Sequence, residues 1–439
     1  MAAPAPGIII AAPASSQGKT IVTLAIIRAL TNYGLTVAAA KAGPDYIDPA
    51  FHAAAGGDPC FNLDPWAMRL ETFVGIATRL GEDSSLIVCE GAMGLFDGAA
   101  DGRGSTADIS AITGWPVVLV VDVRGQGASV AALLRGFAGH RADLTLAGVI
   151  LNRVGSDKHA DILTGAIRDS GLNLPVLGCL PRDTALELPD RHLGLVQALE
   201  HPALDDFLEG AAEIVRKSID LKAFRRIARP APAGHGKIAP LAPIGQRIAV
   251  ARDEAFAFSY ASVLKGWRAA GSELSFFSPL ADETPARDAD AVYLPGGYPE
   301  LHAGRIAGNK VFIDGLREAA ARDTAIYGEC GGYMVLGQAL TDADGTPHAM
   351  AGLLPLETSF ADRRRHLGYR VATAAGDSVL GAQGAVFTGH EFHYATIVAE
   401  GPASPLFKVA DARGEDCGHA GLTAGRIAGS FIHLIDRAS

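Results

Sequence analysis

Cys330 lies in a sequence that favours a reactive nucleophile. The stretch Ala325-Ile-Tyr-Gly-Glu-Cys-Gly-Gly-Tyr-Met334 is typical of a short buried strand that turns sharply into a helix, with glycines on both sides of the cysteine. Such a turn holds a side chain clear of the backbone, and glycine lets neighbouring chains approach closely. We expect the amino end of the helix to lower the pKa of the thiol. Cys330 is therefore predicted to be catalytic, against the ordinary alternative of an inert core cysteine.

Two further groups that thiol chemistry needs occur in the same half of the chain. Gly296 and Gly297 follow an apolar strand pattern, and their backbone N–H groups are predicted to form an oxyanion hole. Near the end of the chain, Gly429-Ser-Phe-Ile-His433 places an imidazole after a short strand. A lone histidine is usually structural, but the order of the three elements favours catalysis, with His433 as the general base.

A second site is predicted at the start of the chain. Ile8-Ile-Ile-Ala-Ala-Pro-Ala-Ser-Ser-Gln-Gly-Lys-Thr20 is a strand, a loop of small residues and a helix start. Gly18, Lys19 and Thr20 match the end of a phosphate-binding loop, in which backbone N–H groups, a lysine and a magnesium-binding hydroxyl surround the phosphates. The first glycine of the usual pattern is Ala12 here. The alternative is a helix cap with a solvated lysine.

Acidic residues follow two other strands of the same half. Asp45 and Asp48 come after the strand ending at Ala40, and Glu90 directly follows Cys89. Ligands bind at the carboxyl ends of strands in open α/β sheets, and Mg²⁺ prefers carboxylate oxygens together with phosphates and water. We predict that Asp45, Glu90 and Thr20 hold Mg²⁺. The alternative is ordinary turn chemistry.

The elements that must position these residues form two α/β domains. Apolar runs without two-residue alternation are typical of a parallel sheet that is covered on both faces. A Pro-, Ala- and Gly-rich stretch interrupts the pattern and is predicted to be a linker. The predicted domains are residues 1–228 and 246–439, with the linker at 229–245. The predicted strands are Gly7–Ile10, Thr36–Ala40, Leu86–Cys89, Val117–Val121, Leu146–Leu151, Arg247–Ala251, Ala291–Leu294 and Thr324–Tyr327, and the clearest helices are Thr20–Thr31 and Ala128–Gly139.

Bulk composition narrows the class of protein. The 439 residues carry a formal net charge of −10, which argues against a nucleic-acid partner. The five cysteines are odd in number and form no C-x-x-C pair, which indicates a reducing compartment and no thiolate zinc site. The first residues do not resemble a signal peptide, and the apolar runs are too short to span a bilayer. We therefore expect a cytoplasmic protein with no membrane partner.

Two motifs carry a family resemblance. Gly43-Pro-Asp-Tyr-Ile-Asp-Pro49 and Glu90-Gly-Ala-Met-Gly-Leu-Phe-Asp-Gly98 resemble signatures of the cobyrinic and hydrogenobyrinic acid a,c-diamide synthases. The phosphate loop is similar to the variant in dethiobiotin synthetase, which implies a doubly wound N-terminal domain of that type. The resemblance implies that ATP activates a carboxylate of a corrin polycarboxylate. It implies Mg²⁺ and nucleotide roles for Lys19, Thr20, Asp45 and Glu90, and adenine binding by Asn152. It also implies substrate or metal roles for Asp48 and Asp97, and a substrate role for Tyr46.

The second half resembles the class I (triad-type) glutamine amidotransferase domain, which implies L-glutamine as the nitrogen source. That family often carries a glutamate two residues after the histidine, where this chain has Ile435. A Cys330–His433 dyad is therefore predicted, with Asp436 as a conceivable third member. Gly389-His-Glu-Phe-His-Tyr394 is predicted to serve a domain interface or substrate pocket rather than a metal. Arg363-Arg-Arg365 is either a solvated charge run or a substrate contact.

The predicted reaction is therefore the amidation of the a and c acetate side chains of a corrin through acyl phosphates. Within the same class, the alternatives are cobyric acid synthase, which the motif at Gly43–Pro49 disfavours, and a nickel-sirohydrochlorin a,c-diamide synthase. Outside it, the alternative is a partition-type ATPase with an inactive regulatory domain. Its loop usually has an early lysine, which this chain lacks. The sequence leaves open whether the corrin holds cobalt, which carboxylate reacts first, and whether the chain forms a homodimer.

Overall fold

The chain divides into two compact units. The computed structural model describes residues 5–187, 190–191, 194–195, 197–201, 203–231, 238 and 240–438. The N-terminal unit comprises Met1–Trp66 and Phe73–Lys237, and the C-terminal unit comprises Ala67–Thr72 and Ile238–Ser439. That the segment Ala67–Thr72 belongs to the C-terminal unit was not predicted from the sequence. The linker predicted at 229–245 lies partly outside the described residues, and the predicted domain limits remain a prediction.

A parallel sheet forms the centre of the N-terminal unit. Its strand order is β3-β2-β4-β1-β5-β6-β7, and the short β10 pairs antiparallel with β1. The inner strands are mostly apolar because helices cover both faces of the sheet, as the buried Ile8, Ile9 and Ile10 illustrate. The strands of this unit are β1 Pro6–Ala11, β2 Val37–Ala42, β3 Phe61–Leu63, β4 Leu86–Glu90, β5 Val117–Asp122, β6 Leu146–Val154, β7 Val176–Pro181, β8 Asp190–Arg191, β9 Gly194–Leu195 and β10 Arg229–Pro230. β8 and β9 form a separate two-stranded antiparallel sheet.

Helices connect these strands, so that the carboxyl ends of the parallel strands share one edge. None of the helices among the described residues is both long enough and apolar enough to cross a membrane. The helices of the N-terminal unit are α1 Lys19–Asn32, α2 Asp48–Gly56, α3 Leu70–Glu82, α4 Thr106–Thr113, α5 Val130–Gly139, α6 Asp157–Asp169, α7 Leu204–Ser218 and α8 Leu221–Ile227; the first turn of α3 belongs to the segment Ala67–Thr72 of the other unit.

The C-terminal unit contains a mixed sheet in the order β12-β11-β13-β14-β23-β22-β21-β18-β19-β24. The first five strands pair in parallel and the remaining pairs are antiparallel. A smaller sheet has the order β16-β15-β17-β20. The elements are β11 Arg247–Ala251, α9 Ala261–Ala269, β12 Glu273–Phe277, β13 Ala291–Leu294, α10 Ala303–Gly308, α11 Lys310–Ala321, β14 Ala325–Glu329, α12 Gly331–Leu336, β15 Ala339–Thr341, β16 Pro347–Ala349, β17 Leu356–Ser359, β18 His366–Ala374, β19 Val386–His393, β20 Thr396–Glu400, β21 Ser404–Asp411, β22 Asp416–Ala424, β23 Ile427–Ser430 and β24 Ile432–Arg437.

The predicted fold class, two α/β domains with a doubly wound parallel sheet in the first, is confirmed. The parallel strands that were predicted are short, mostly apolar and largely buried, which made them recognisable. The antiparallel part of the C-terminal unit was not predicted. Several of its strands are partly exposed without regular alternation, as in β18, where burial increases only toward the carboxyl end.

Candidate active sites

The phosphate loop runs from the end of β1 to the start of α1. Gly18 caps α1 with φ +82°, a conformation that favours glycine. A Cβ at this position would lie 2.3 Å from Nδ2 of Asn152, so a larger residue would also have to displace that side chain. The loop after β4 supports the phosphate loop, since the N–H of Leu95 donates to the carbonyl of Ala12 at 2.8 Å.

Glu90 is the centre of a buried cluster at this sheet edge. Its Oε1 lies 2.7 Å from Nζ of Lys19 and 3.0 Å from Nζ of Lys41, and it accepts a hydrogen bond from Oγ1 of Thr20 at 2.6 Å. Its Oε2 lies 2.8 Å from Nε2 of His52. Four residues from three separate segments therefore meet one carboxylate that is completely buried.

The carboxylates of Asp48 and Asp45 extend this cluster through Lys41. Nζ of Lys41 donates to Asp48 at 2.5 Å and lies 3.7 Å from Oδ2 of Asp45. Oδ1 of Asp45 accepts from the N–H groups of Ile47 and Asp48, which holds the turn before α2. The structure therefore places Asp48, a predicted substrate residue, in an ion pair with a buried lysine.

The neighbouring charges shift the pKa values of Glu90, Lys41 and Asp48. Burial alone would raise the pKa of Glu90, but Lys19 and Lys41 outweigh it and hold that pKa well below its usual value. Burial also disfavours a charged Lys41, yet Asp48, Glu90 and Asp45 raise the pKa of Lys41 well above its usual value. Burial and the neighbouring Asp45 raise the pKa of Asp48 to about 6, against the opposing effect of Lys41. The site is thus a compensated set of buried charges.

The donor set of this cluster fits a magnesium ion. The Glu90 carboxylate and the Thr20 hydroxyl are hard oxygen donors in direct contact. Asp45 is connected to them through Lys41 rather than directly. A magnesium ion at Glu90 and Thr20 would take over part of the charge compensation that Lys19 and Lys41 provide in this structure.

Three other predicted residues lie around the same edge. Asn152 directs Nδ2 to the carbonyl of Gln17 at 2.8 Å and accepts from the N–H of Arg153, so it braces the phosphate loop. Asp97 is exposed and accepts from the N–H of Gly94 within the loop after β4. Tyr46 is buried in the turn before α2. Their binding roles remain predictions.

Sequence reasoning missed two members of the cluster. Lys41 and His52 are buried, and both contact Glu90. One signal was present, because a lysine inside an otherwise apolar strand needs a buried anion as a partner. His52 lies one helical turn after Asp48 and contacts the carbonyl of that residue through Nδ1 at 2.7 Å. Nothing in its own spacing pointed to Glu90.

The second site forms where β14 ends. Cys330 follows the strand directly, precedes α12, and has φ +47° and ψ −103°. A non-glycine residue with positive φ is strained, which is typical of a nucleophile held on a sharp turn. The N–H of Cys330 donates to the carbonyl of Ser430 at 2.8 Å, so β23 fixes the turn.

His433 and Gly296 converge on the same point. A Cβ at Gly296 would lie 2.3 Å from Cε1 of His433 and 3.3 Å from Cβ of Cys330. Gly296 therefore has to be glycine because the imidazole and the cysteine occupy the space around it. The sequence predicted His433 just after a short strand. That strand is β23, and His433 itself lies within the next strand, β24. The backbone of Gly297, the residue after Gly296, passes close to the turn after Cys330, since a Cβ at Gly331 would lie 3.0 Å from the Gly297 amide nitrogen.

The protonation state of this pair differs from the expectation. Burial raises the pKa of the Cys330 thiol well above its usual value, and Glu300 adds to the effect. The N–H of Gly331 opposes the shift without cancelling it. Burial also lowers the pKa of His433 to about 3, with His390 and His393 adding to the effect. The predicted lowering of the thiol pKa is wrong for this structure, because α12 has only six residues while desolvation is almost complete.

Asp436 does not take the place of a third triad member. Its buried carboxylate accepts from the backbone N–H of Arg69 and pairs with the guanidinium of Arg69 at 2.9 Å. The suggested role of Asp436 is therefore corrected to anchoring the segment Ala67–Thr72.

The histidines of the Gly389–Tyr394 motif lie near the dyad. His390 pairs with His433 across the β19–β24 ladder, and His393 lies 3.0 Å from Glu391. Ligand atoms of His366, Glu391 and His393 lie within 4.8 Å of one another. The imidazole rings of His366 and His393 are stacked with their planes at 6° to each other, so the in-plane lone pairs of the two rings cannot both point at one ion. The three arginines of Arg363–Arg365 are exposed.

Comparison with known proteins identifies both halves. Residues 8–196 match the CobQ/CobB/MinD/ParA nucleotide binding domain, and residues 247–439 match the CobB/CobQ-like glutamine amidotransferase domain. The chain is 56% identical over 437 residues to a protein of Brucella anthropi named hydrogenobyrinate a,c-diamide synthase, covering 98% of each chain. The chain belongs to the hydrogenobyrinate a,c-diamide synthase family.

Two further relatives with the same name support this membership. One from Sinorhizobium is 56% identical, with 98% of this chain and 99% of the relative covered. One from Mesorhizobium japonicum is 51% identical with the same coverage. The predicted family and the predicted enzyme class, a carbon–nitrogen ligase with glutamine as amido donor, are thereby confirmed.

Proposed function

We propose that this family member amidates the a and c acetate carboxylates of a corrin ring, either hydrogenobyrinic or cobyrinic acid, using ATP and glutamine. The main support is that one chain combines a phosphate loop at the Glu90 cluster with a glycine-framed Cys330 and His433. The first site suits carboxylate activation and the second suits release of ammonia from an amide. The relatives' name supplies the substrate class.

In the activation step, a carboxylate oxygen of the substrate attacks the γ-phosphorus of ATP and ADP leaves, giving an acyl phosphate. Lys19 would exchange its contact with Glu90 for the phosphate oxygens and stabilise the charge that develops there. Glu90 and Thr20, with Asp45 nearby, would hold Mg²⁺, which when bound supplies further positive charge at the phosphates.

In the glutaminase step, the Cys330 sulfur attacks the side-chain amide of glutamine while His433 takes the thiol proton. The N–H groups at Gly296 and Gly297 would stabilise the oxyanion. His433 returns the proton to the leaving nitrogen, ammonia departs, and water hydrolyses the glutamyl thioester. Ammonia then attacks the acyl phosphate, phosphate leaves, and an amide remains. The cycle is repeated on the second carboxylate.

The test offers hydrogenobyrinic acid and cobyrinic acid together with ATP, Mg²⁺ and glutamine labelled with ¹⁵N in its side-chain amide. Mass spectrometry should find two labelled amides per corrin and show which substrate reacts first. Four new amides would instead indicate a cobyric acid synthase. No amide on either substrate, from an enzyme that still hydrolyses glutamine, would contradict the proposed substrate.

A further inference from the structure

Glu329 is a buried carboxylate beside the nucleophile that the proposed reaction does not use. It is the last residue of β14, immediately before Cys330, and only 3% of it is exposed. Oε2 accepts from the hydroxyl of Tyr293 at 2.7 Å, and Oε1 accepts from the hydroxyl of Tyr327 at 3.0 Å. Oε1 also accepts from the backbone N–H of Leu434 at 3.1 Å. Burying a carboxylate is costly, and these donors offset the cost.

The bond to Leu434 joins two strands that the sheet ladder does not join. β14 pairs with β13 and β23, whereas β24 pairs with β19 at the other end of the strand order. Leu434 directly follows His433, and Glu329 directly precedes Cys330. The carboxylate thus links the residue before the nucleophile to the residue after the base.

A triad holds its histidine through a carboxylate on the imidazole ring, but Ile435 occupies the position where related domains often carry that glutamate. We infer that Glu329 is a positioning residue, which acts by fixing the backbone beside His433 rather than by contacting the imidazole ring. This inference rests on the proposed roles of Cys330 and His433. Its physical basis is that a small displacement of the base costs much of the advantage of holding reactants in place.

The positioning role of Glu329 depends on Oε1 accepting a hydrogen bond from Leu434, and not on the charge of the carboxyl group. Burial raises the pKa of Glu329 to about 7, against the three hydrogen bonds that lower it. In both the ionised and the protonated carboxyl, Oε1 can accept from Leu434, because the Tyr293 hydroxyl can rotate to accept from a proton on Oε2. Glutamine can do the same, with its oxygen toward Leu434 and its NH₂ toward Tyr293. Alanine cannot.

The experiment compares Glu329→Ala and Glu329→Gln in the full chain, with the exposed Glu318→Ala as control. For Glu329→Ala we expect the glutaminase kcat to fall about 30- to 100-fold with KM for glutamine within about threefold. Amidation with ammonium chloride should be retained. Glu329→Gln should stay within about threefold of the parent. The labelling rate of Cys330 by a glutamine-like chloroketone, followed by peptide mass spectrometry, should fall in step with kcat in Glu329→Ala alone.

Two results would overturn the inference: parental glutaminase in Glu329→Ala, or equal damage in Glu329→Ala and Glu329→Gln. If Glu329→Ala fails to fold, Glu329→Asp replaces it, because the shorter side chain withdraws the acceptor from Leu434 while keeping the charge. Selective loss of glutamine use in that variant supports the inference, and parental activity contradicts it. Cys330→Ser and His433→Ala are assayed in parallel. If both hydrolyse glutamine normally, the proposed dyad and this inference fall together; if only Glu329→Ala does, the inference alone fails.

Discussion

The central residues of both sites are buried, Glu90 and Lys41 in one and Cys330 and His433 in the other, but the two sites hold opposite electrostatic states. Around Glu90, two lysines and several carboxylates are charged and compensate one another. Around Cys330, burial keeps the thiol and the imidazole of His433 neutral. Burial therefore does not by itself decide whether a site is charged, because the number of opposite charges within contact distance does.

The difference matches the proposed chemistry of each site. Phosphates and a metal ion arrive with charge, so a site of exchangeable ion pairs can receive them without first separating charges. Glutamine arrives with a neutral amide, and a neutral thiol–imidazole pair can wait until the substrate is bound before a proton moves. A neutral resting pair also limits side reactions of the thiol, since the thiolate is the reactive form.

Replacing the nucleophile gives the largest expected effect. Cys330→Ser should lower glutamine-dependent amidation by about a thousandfold or more, because a hydroxyl is a much weaker nucleophile than a thiol. Amidation with ammonium chloride should persist and improve at higher pH, where free ammonia is more abundant. The exposed Cys417→Ser is the control. Normal glutamine use by Cys330→Ser would place the nucleophile elsewhere.

The reciprocal change belongs to the charged site. Lys19→Ala should reduce amidation by about a hundredfold or more with glutamine or ammonium as nitrogen source, since both need the activated carboxylate. Basal glutaminase should remain. Product formation with each nitrogen source and glutamate release measure the two halves separately. Full amide synthesis by this variant would remove the phosphate-loop assignment.

Removing a buried cation tests whether the charged cluster is balanced. Lys41→Met leaves Asp48 without its ion pair and weakens the compensation of Glu90, so the N-terminal unit should lose about 3 kcal/mol of stability. Hydrogen exchange in peptides from β1, β2 and β4 should accelerate, while β14 and β24 provide the internal reference. The exposed Lys222→Met is the control. Unchanged protection in Lys41→Met would contradict the charge compensation.

The smallest effect concerns the neutral site and pH. Because the folded-state pKa of His433 is about 3, below an unfolded value of about 6.5, its contribution to stability is present above pH 6.5 and is lost as pH falls toward 3. When the pH is lowered from 7.5 to 5, the free energy of unfolding should therefore fall by about 2 kcal/mol less in His433→Gln than in the parent. Thermal unfolding at several pH values measures the difference, with the exposed His419→Gln as control. Parallel pH curves for parent and variant would show that His433 is not held neutral by burial.

Local patterns determined much of this protein. The phosphate loop at Gly18–Thr20, the turn at Cys330 and the apolar parallel strands each depend on neighbours within about a dozen residues, so their residue types reveal them. Gly18 and Gly296 were recognised from their motifs as site residues, but the reason that position 296 has no room for a side chain is an imidazole that is distant in the chain. The family motifs are equally contiguous.

Only the tertiary structure decided which residues that are distant in the chain share a site, and which protonation state they adopt there. Lys41 and His52 reach Glu90, Glu329 reaches Leu434, and Arg69 reaches Asp436, across separations that no local period encodes. The tertiary structure also decided whether the pKa of the Cys330 thiol is raised or lowered. Desolvation, which raises this pKa, depends on every atom packed around the thiol, whereas the opposing effect of the helix amino end comes from the six residues of α12. Local sequence selects the conformations of short segments, but burial and charge compensation are sums over the whole fold.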